Sequence, residues 1–194
     1  MTVEQPQYND VFEAFGDTSR ILNQNHGQRQ SLELVLKTLQ KHLNMRRGTI
    51  MLVCPFGESL TVEAAHSLDS ADQKRVTYKK GEGIVGRVME TGEPQVIPRI
   101  ADEPRFRNRI HRRTGSKREN MAFICVPIRV SNDVIGTLSV DVPGRDSNAL
   151  QHNRRILDIV ANMIGGDVRA RREVALQKRS YEEENLRLRN ELGE

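Results

Sequence analysis

Three glycines, Gly81, Gly83 and Gly86, stand in the order G-x-G-x-x-G, a spacing that can bring backbone amides against a dinucleotide pyrophosphate. That chemistry needs a buried apolar strand directly before the glycines and an acid about twenty residues after them. Here the preceding residues are Arg75-Val76-Thr77-Tyr78-Lys79-Lys80, too polar for the central strand of a parallel sheet, and Asp102 and Glu103 fall in a loop. The glycines therefore read as loop geometry, permitting positive φ and close backbone approach. Cys54 and Cys125 lie inside apolar, strand-like runs without a C-x-x-C, and the five histidines are scattered. They read as small buried side chains in a reducing cytoplasm, not as metal ligands. From Arg105 to Arg118 the chain carries seven cations with no acid between them. With no recognition helix and no aromatic partner beyond Phe106, that run reads as a solvated or protein-contacting loop rather than a nucleic-acid footprint. No G-x-S-x-G, H-E-x-x-H or P-loop occurs, so no catalytic constellation is expected. Glu82, Glu90 and Glu93 suit helix-dipole and solubility roles instead.

The elements that must position these residues follow from periodicity. The chain has 194 residues, a hydrophobic fraction of 37% and a net charge of +4, which suits one domain plus an appendage. No run of eighteen apolar residues occurs, so a soluble, unexported, cytoplasmic chain with no membrane contact is expected. Residues 1–10 read as a flexible arm. Helical spacing runs from Val11, with Asn25 and Gly27 as an interruption, into Leu32, Val35, Leu36, Leu39 and Leu43, a single stripe for packing on a sheet. Thr49 to Cys54 is apolar at both parities, as in a strand covered on both faces. Ile84, Val85 and Val88 give about two turns of helix, with Gly92 as its C-terminal stop and Pro94 preventing resumption. Met121 to Asp141 predicts a hairpin: Ile124, Val126, Ile128 and Val130 on one face, Phe123, Cys125 and Pro127 on the other. Pro127 implies a bulge or an unpaired spot in that strand. Ser147 or Asn148 is expected to cap a last helix whose stripe is Ile156, Ile159, Val160, Met163 and Ile164. Past Gly165-Gly166 the composition becomes highly charged, and Val174, Tyr181 and Leu188 form one weak heptad seam.

Taken whole, Gly81 to Val88 followed by Thr91-Gly92-Glu93-Pro94 resembles the middle of a GAF domain, and the Val126-Pro127-Ile128 step supports the likeness. The resemblance covers roughly residues 17–170. Arg99-Ile100-Ala101-Asp102-Glu103-Pro104-Arg105-Phe106, with Arg107-Asn108-Arg109 after it, is similar to a loop in the GAF domains of nitrogen-fixation (Nif-specific) regulators. Those are activators that work with the sigma-54 form of RNA polymerase. Glu182 to Leu188 resembles the signalling helix preceding their ATPase module.

The resemblance implies an α+β GAF fold: a central antiparallel sheet of five or six strands, N- and C-terminal helices packed on one face, and an extended C-terminal signalling helix. The expected organisation is an arm over residues 1–10, a sensory domain over 11–170 and a charged, coiled-coil-like linker helix over 171–194. The output modules, DNA binding included, are expected beyond this segment. Apolar walls enclosing a small-ligand pocket are assigned by strand parity to Ile50, Leu52, Phe123 and Cys125, and from the glycine stretch to Ile84, Val85, Ile97 and Phe106. Arg105 or Arg107 is the expected partner of an effector carboxylate, such as that of 2-oxoglutarate. A regulatory partner protein on the GAF surface is the other expected input, and a homodimer through the terminal helices the expected assembly. No cofactor is expected. The alternatives are a ligand-free dimerisation module, the sensor of a kinase or cyclase, and a GAF-fold methionine sulfoxide reductase. The reductase branch needs cysteines around the pocket, the bilin branch an attachment cysteine in a loop, and the cyclic-nucleotide branch a constellation not found at Asp102-Glu103.

Overall fold

A computed structural model of the chain describes residues 8–54, 59–66, 76–105, 121–144 and 146–192. Among these residues, six strands form one wholly antiparallel sheet in the order β3-β2-β1-β6-β5-β4. They are β1 (Arg46–Val53), β2 (Ser59–Ala65), β3 (Thr77–Lys79), β4 (Gln95–Ile97), β5 (Met121–Val130) and β6 (Asp133–Pro143). Helices α1 (Tyr8–Leu22), α2 (Gln28–Leu43) and α4 (Ser147–Leu192) belong to one face, and α3 (Gly83–Thr91) covers the other.

The stripe expected on α2 is buried throughout: Leu32, Val35, Leu36, Leu39 and Leu43 are at most 6% exposed. Each such side chain contributes roughly 1.5–3 kcal/mol when taken from water. The interruption at Gly27 separates α1 from α2, and Asn44, at φ 52°, ends α2 in the left-handed conformation. Asp17 ties the two helices, accepting bonds from Arg20 at 2.7 Å and pairing with His42 at 2.9 Å. Hydrogen bonds from those two residues hold its carboxyl below the ordinary carboxylate range.

The β5–β6 hairpin has the expected faces. Ile124, Val126 and Ile128 enter the helix-side core, and Phe123 and Cys125 the opposite one. A register shift falls between Ile128 and Arg129, just past Pro127.

Three expectations are corrected. Tyr8 to Asp10, assigned to the arm, already belong to α1. Asp146, not Ser147 or Asn148, caps α4, accepting the Ala149 N–H at 2.7 Å. Ile159 is 46% exposed, while Leu157, Ala161 and Val168 join Ile156, Val160 and Ile164 in the buried stripe. The helix also passes through Gly165-Gly166 without a break and runs 46 residues, about 69 Å.

Candidate ligand-binding face

Opposite the three long helices, α3 lays Ile84, Val85 and Val88 against a second apolar cluster. Met51, Leu60 and Tyr78 form one wall; Ile97, Ile100, Met121, Phe123 and Cys125 form the other. The glycines set this geometry. Gly81 (φ 78°) and Gly83 (φ 64°) take left-handed conformations, and a Cβ at Gly86 would stand 2.2 Å from the Lys79 carbonyl oxygen. The Gly81 N–H donates to the Gly86 carbonyl at 2.8 Å, and the Glu82 N–H to that of Lys79 at 3.0 Å. Glu82 places its carboxylate at the start of α3, accepting the Lys79 N–H at 2.9 Å. The Gly81, Glu82 and Gly86 amides are already bonded, and the anion-favouring helix end already carries an acid. The motif is a packed turn, not a dinucleotide cradle.

Between the apolar walls the central strands present polar residues. Thr49 on β1 and Thr137, Ser139 and Asp141 on β6 are all at most 6% exposed. Register puts Thr49, Ser139 and Cys125 in one cross-strand row, and Asp141 opposite Phe123 in the next. Burying polar groups is unfavourable unless they are bonded, and the Thr49 hydroxyl donates to the Arg47 carbonyl at 3.4 Å. Asp141, fully buried, pairs with Arg47 at 2.9 Å. Arg47 reaches it from a bulge, where one extra β1 residue between Arg46 and Thr49 lets the arginine adopt φ 48°. The Cys125 thiol bonds Thr137, and burial pushes its ionisation far above the ordinary thiol range. A thiol held neutral in this way is neither a nucleophile nor a redox centre. Among the described residues no group of three or more His, Cys, Asp or Glu side chains could hold a metal ion.

Of the residues assigned to the ligand from the sequence, Ile84, Val85, Ile97, Phe123 and Cys125 come together in this cluster. Ile50 and Leu52 do not. Ile50 pairs with Leu138, which pairs with Val126, and both Ile50 and Leu52 sit in the helix-side core. β1 is apolar on both faces, so alternation alone could not orient it; Met51 takes the expected place. Arg105 forks onto Glu103 at 2.7 and 3.0 Å and is partly exposed, so an incoming carboxylate would have to displace one already bound. That fork draws the Glu103 carboxyl below its ordinary range. Phe106, Arg107 and most of the cationic run lie outside the described residues. Sequence reasoning missed Arg47, Thr49, Thr137, Ser139 and Asp141. The signal was present: Thr137, Ser139 and Asp141 recur at every second position of an otherwise apolar strand.

A family model described as "GAF domain" matches residues 29–168. The chain is 35% identical over 181 residues to the Nif-specific regulatory protein of Azospirillum brasilense, covering 91% of this chain and 28% of that one. It is 31% identical over 186 residues to nitrogen fixation protein VnfA of Azotobacter vinelandii, covering 95% and 36% respectively. The chain thus spans about a third of these relatives' length. The structure of an A. aeolicus nlh2 GAF domain in an inactive state superposes with a TM-score of 0.74 at 27% identity, covering 84% of this chain and 98% of that one. A free methionine-R-sulfoxide reductase from Neisseria meningitidis shares the fold, with a TM-score of 0.70 and 13% identity, over 90% of this chain and 98% of that one. Among the described residues no helix is long and apolar enough to cross a membrane. Six antiparallel strands between a helical layer and a glycine-hinged cap, matched by the family model over most of its length, make this chain a member of the GAF domain family, homologous to the Nif-specific regulatory proteins.

Proposed function

We propose that the chain is the sensory module of a Nif-specific-type transcriptional activator, controlling through α4 an ATPase that works with sigma-54 RNA polymerase. The observation carrying this reading is the 35% identity to such a regulator across 91% of the chain, reaching into the charged helix past the domain body. The input is a small molecule or a regulatory partner protein. A few buried polar groups set among apolar walls suit a small ligand. The proposed contacts are Thr49, Thr137, Ser139 and Asp141 below, with Ile84, Val85, Ile97, Phe123 and Cys125 around them. Arg47 lies beside this polar row but, like Arg105, already holds a carboxylate, that of Asp141.

The proposed assembly is a homodimer. Tyr8 and Phe12 of α1 and Ile159 of α4 are exposed, as are Val174, Tyr181 and Leu188 at seven-residue spacing on the charged arm. A second copy would cover both sets, since heptad spacing suits pairing of like helices. Sedimentation of the purified chain tests it, and a monomer at every concentration rejects it. Calorimetry with 2-oxoglutarate, cyclic nucleotides and a metabolite extract tests the input. Binding weakened by Ser139→Leu supports the proposed face. Silence at millimolar concentrations rejects the small-molecule form and leaves the partner-protein form.

A further inference from the structure

A sensor of this kind needs a physical link between the α3 side of the sheet and the helix that leaves it. We propose that Arg129 is that link: its guanidinium holds the end of α3, and its own carbonyl is the seat on which α4 rests at Gly165. The inference adds to the proposed function the route by which one face is felt on the other.

The geometry starts on β5, where Arg129 alternates with the helix-side Ile128 and Val130 and so faces the α3 side; the extra residue at the register shift, Ile135, lies on β6. Arg129 Nη2 donates to the Gly92 carbonyl at 2.6 Å. Gly92 ends α3: it lies at φ 69°, and its N–H closes onto the Val88 carbonyl at 2.8 Å. A cation at a helix C-terminus is favourably placed on the helix dipole. A Cβ at Gly92 would stand 2.6 Å from Arg129 Nη2, so the arginine lies flat against this turn.

On the opposite face α4 packs mainly on β5. A Cβ at Gly165 would stand 2.1 Å from the Arg129 carbonyl oxygen, so helix and strand meet there backbone to backbone. Two turns earlier, Asp158 bonds Arg154. Burial raises the Asp158 carboxyl, while the charges of Arg154 and Arg129 oppose that shift. Arg129 thus bonds the Gly92 carbonyl of α3 directly, acts on Asp158 of α4 through its charge alone, and supports α4 at Gly165 with its own carbonyl. If the end of α3 shifts, Arg129 loses its short bond, and the strand segment that seats Gly165 shifts with it.

Movement of α4 at Gly165 is close to its exit from the body. Val168 is the last buried apolar residue of α4, and Arg171 follows. Arg171 bonds Asp167 at 2.8 Å, the His26 carbonyl at 2.7 Å and Ser31 Oγ at 3.1 Å. Beyond that clamp the arm is exposed through residue 190.

The test is amide hydrogen exchange on the full chain, comparing wild type with Arg129→Gln, Asp158→Asn and the double variant. Coupling between two sites is reciprocal, and loss of one charge-assisted hydrogen bond amounts to about tenfold in local opening. Arg129→Gln should therefore raise exchange about tenfold both at residues 88–92 and across residues 158–168. Asp158→Asn should alter exchange at residues 88–92, on the far side of the sheet. The double variant should fall short of the product of the single effects. Amides of Ile50 to Leu52 serve as reference and should hold. A rise confined to residues 88–92, a uniform rise that includes the reference, or simple multiplication in the double variant overturns the proposal. Should Arg129→Gln not fold, Arg129→Lys, which keeps the charge but not the planar fork, is judged by the same criteria. No effector is needed, so a negative result here leaves the sensory reading standing, and failure to find an effector leaves the link standing.

Discussion

Gly165 and Gly166 are adjacent in one helix, yet they should respond oppositely to the same substitution. Alanine is preferred to glycine in a helix interior by about 1 kcal/mol, and this gain is common to both sites. At Gly166 nothing lies within 4 Å of an added Cβ, so the gain is realised and the domain should become about 1 kcal/mol more stable. At Gly165 the same atom would stand 2.1 Å from the Arg129 carbonyl oxygen, a backbone atom that cannot rotate away. An ordinary contact requires about one ångström more, which must come from lifting α4 off β5. Overpacking of that kind costs about 1–3 kcal/mol. At the upper end, after subtracting the propensity gain, Gly165→Ala should lose about 2 kcal/mol. The two variants should then differ by about 3 kcal/mol, on the order of 6–12 °C in melting temperature for a domain of this size. Urea denaturation followed by circular dichroism, with sheet-amide exchange to separate the body from the arm, gives the comparison. If Gly165→Ala is as stable as Gly166→Ala, α4 is not seated on β5 as described, and the basis for the Arg129 link goes with it.

Removing one partner of the Arg47–Asp141 pair takes away part of what compensates a buried charge. Arg47→Met should cost about 3 kcal/mol, and Arg47→Met/Asp141→Asn less than the sum of the single losses, measured by denaturant titration. Cys125 should resist alkylation in the native protein and react only through global opening, about a thousandfold or more slower than in urea, as read by mass spectrometry of the modified peptide. Asp17, whose folded-state carboxyl is held down by His42 and Arg20, contributes stability that is present above its unfolded value of about pH 4 and is lost as the pH falls through the folded value. Asp17→Asn should therefore flatten the acid limb of the stability profile below about pH 4; an unchanged acid limb would refute the assignment.

Much of the architecture is set by short-range rules that one chain displays. Leu32 to Leu43 repeat at helical spacing, the β-branched Ile124, Val126, Ile128 and Val130 recur at every second position, and Gly92-Glu93-Pro94 stops a helix whatever surrounds it. These features depend on period and on permitted φ values, which are local, and they sufficed to point to a sheet with helices on one side. Which way β1 faces was decided elsewhere. A strand apolar at both parities can be turned over without penalty in its own sequence, and only pairing of Ile50 with Leu138, eighty-eight positions away, sends Ile50 and Leu52 to the helices and Met51 to α3. The same holds for the polar residues: Arg47 is an ordinary surface cation until a bulge carries it to Asp141. Arg105, chosen as a carboxylate ligand, meets one two residues away on its own chain. Gly165-Gly166 looks like a boundary because glycine weakens helices, yet the helix continues because one glycine is what its close approach to Arg129 requires. Period determined the helices and strands, and the glycine and proline motifs carried the family resemblance. Which side chains share a face, and which charges meet, depended on contacts between distant segments that exist only once the chain has folded.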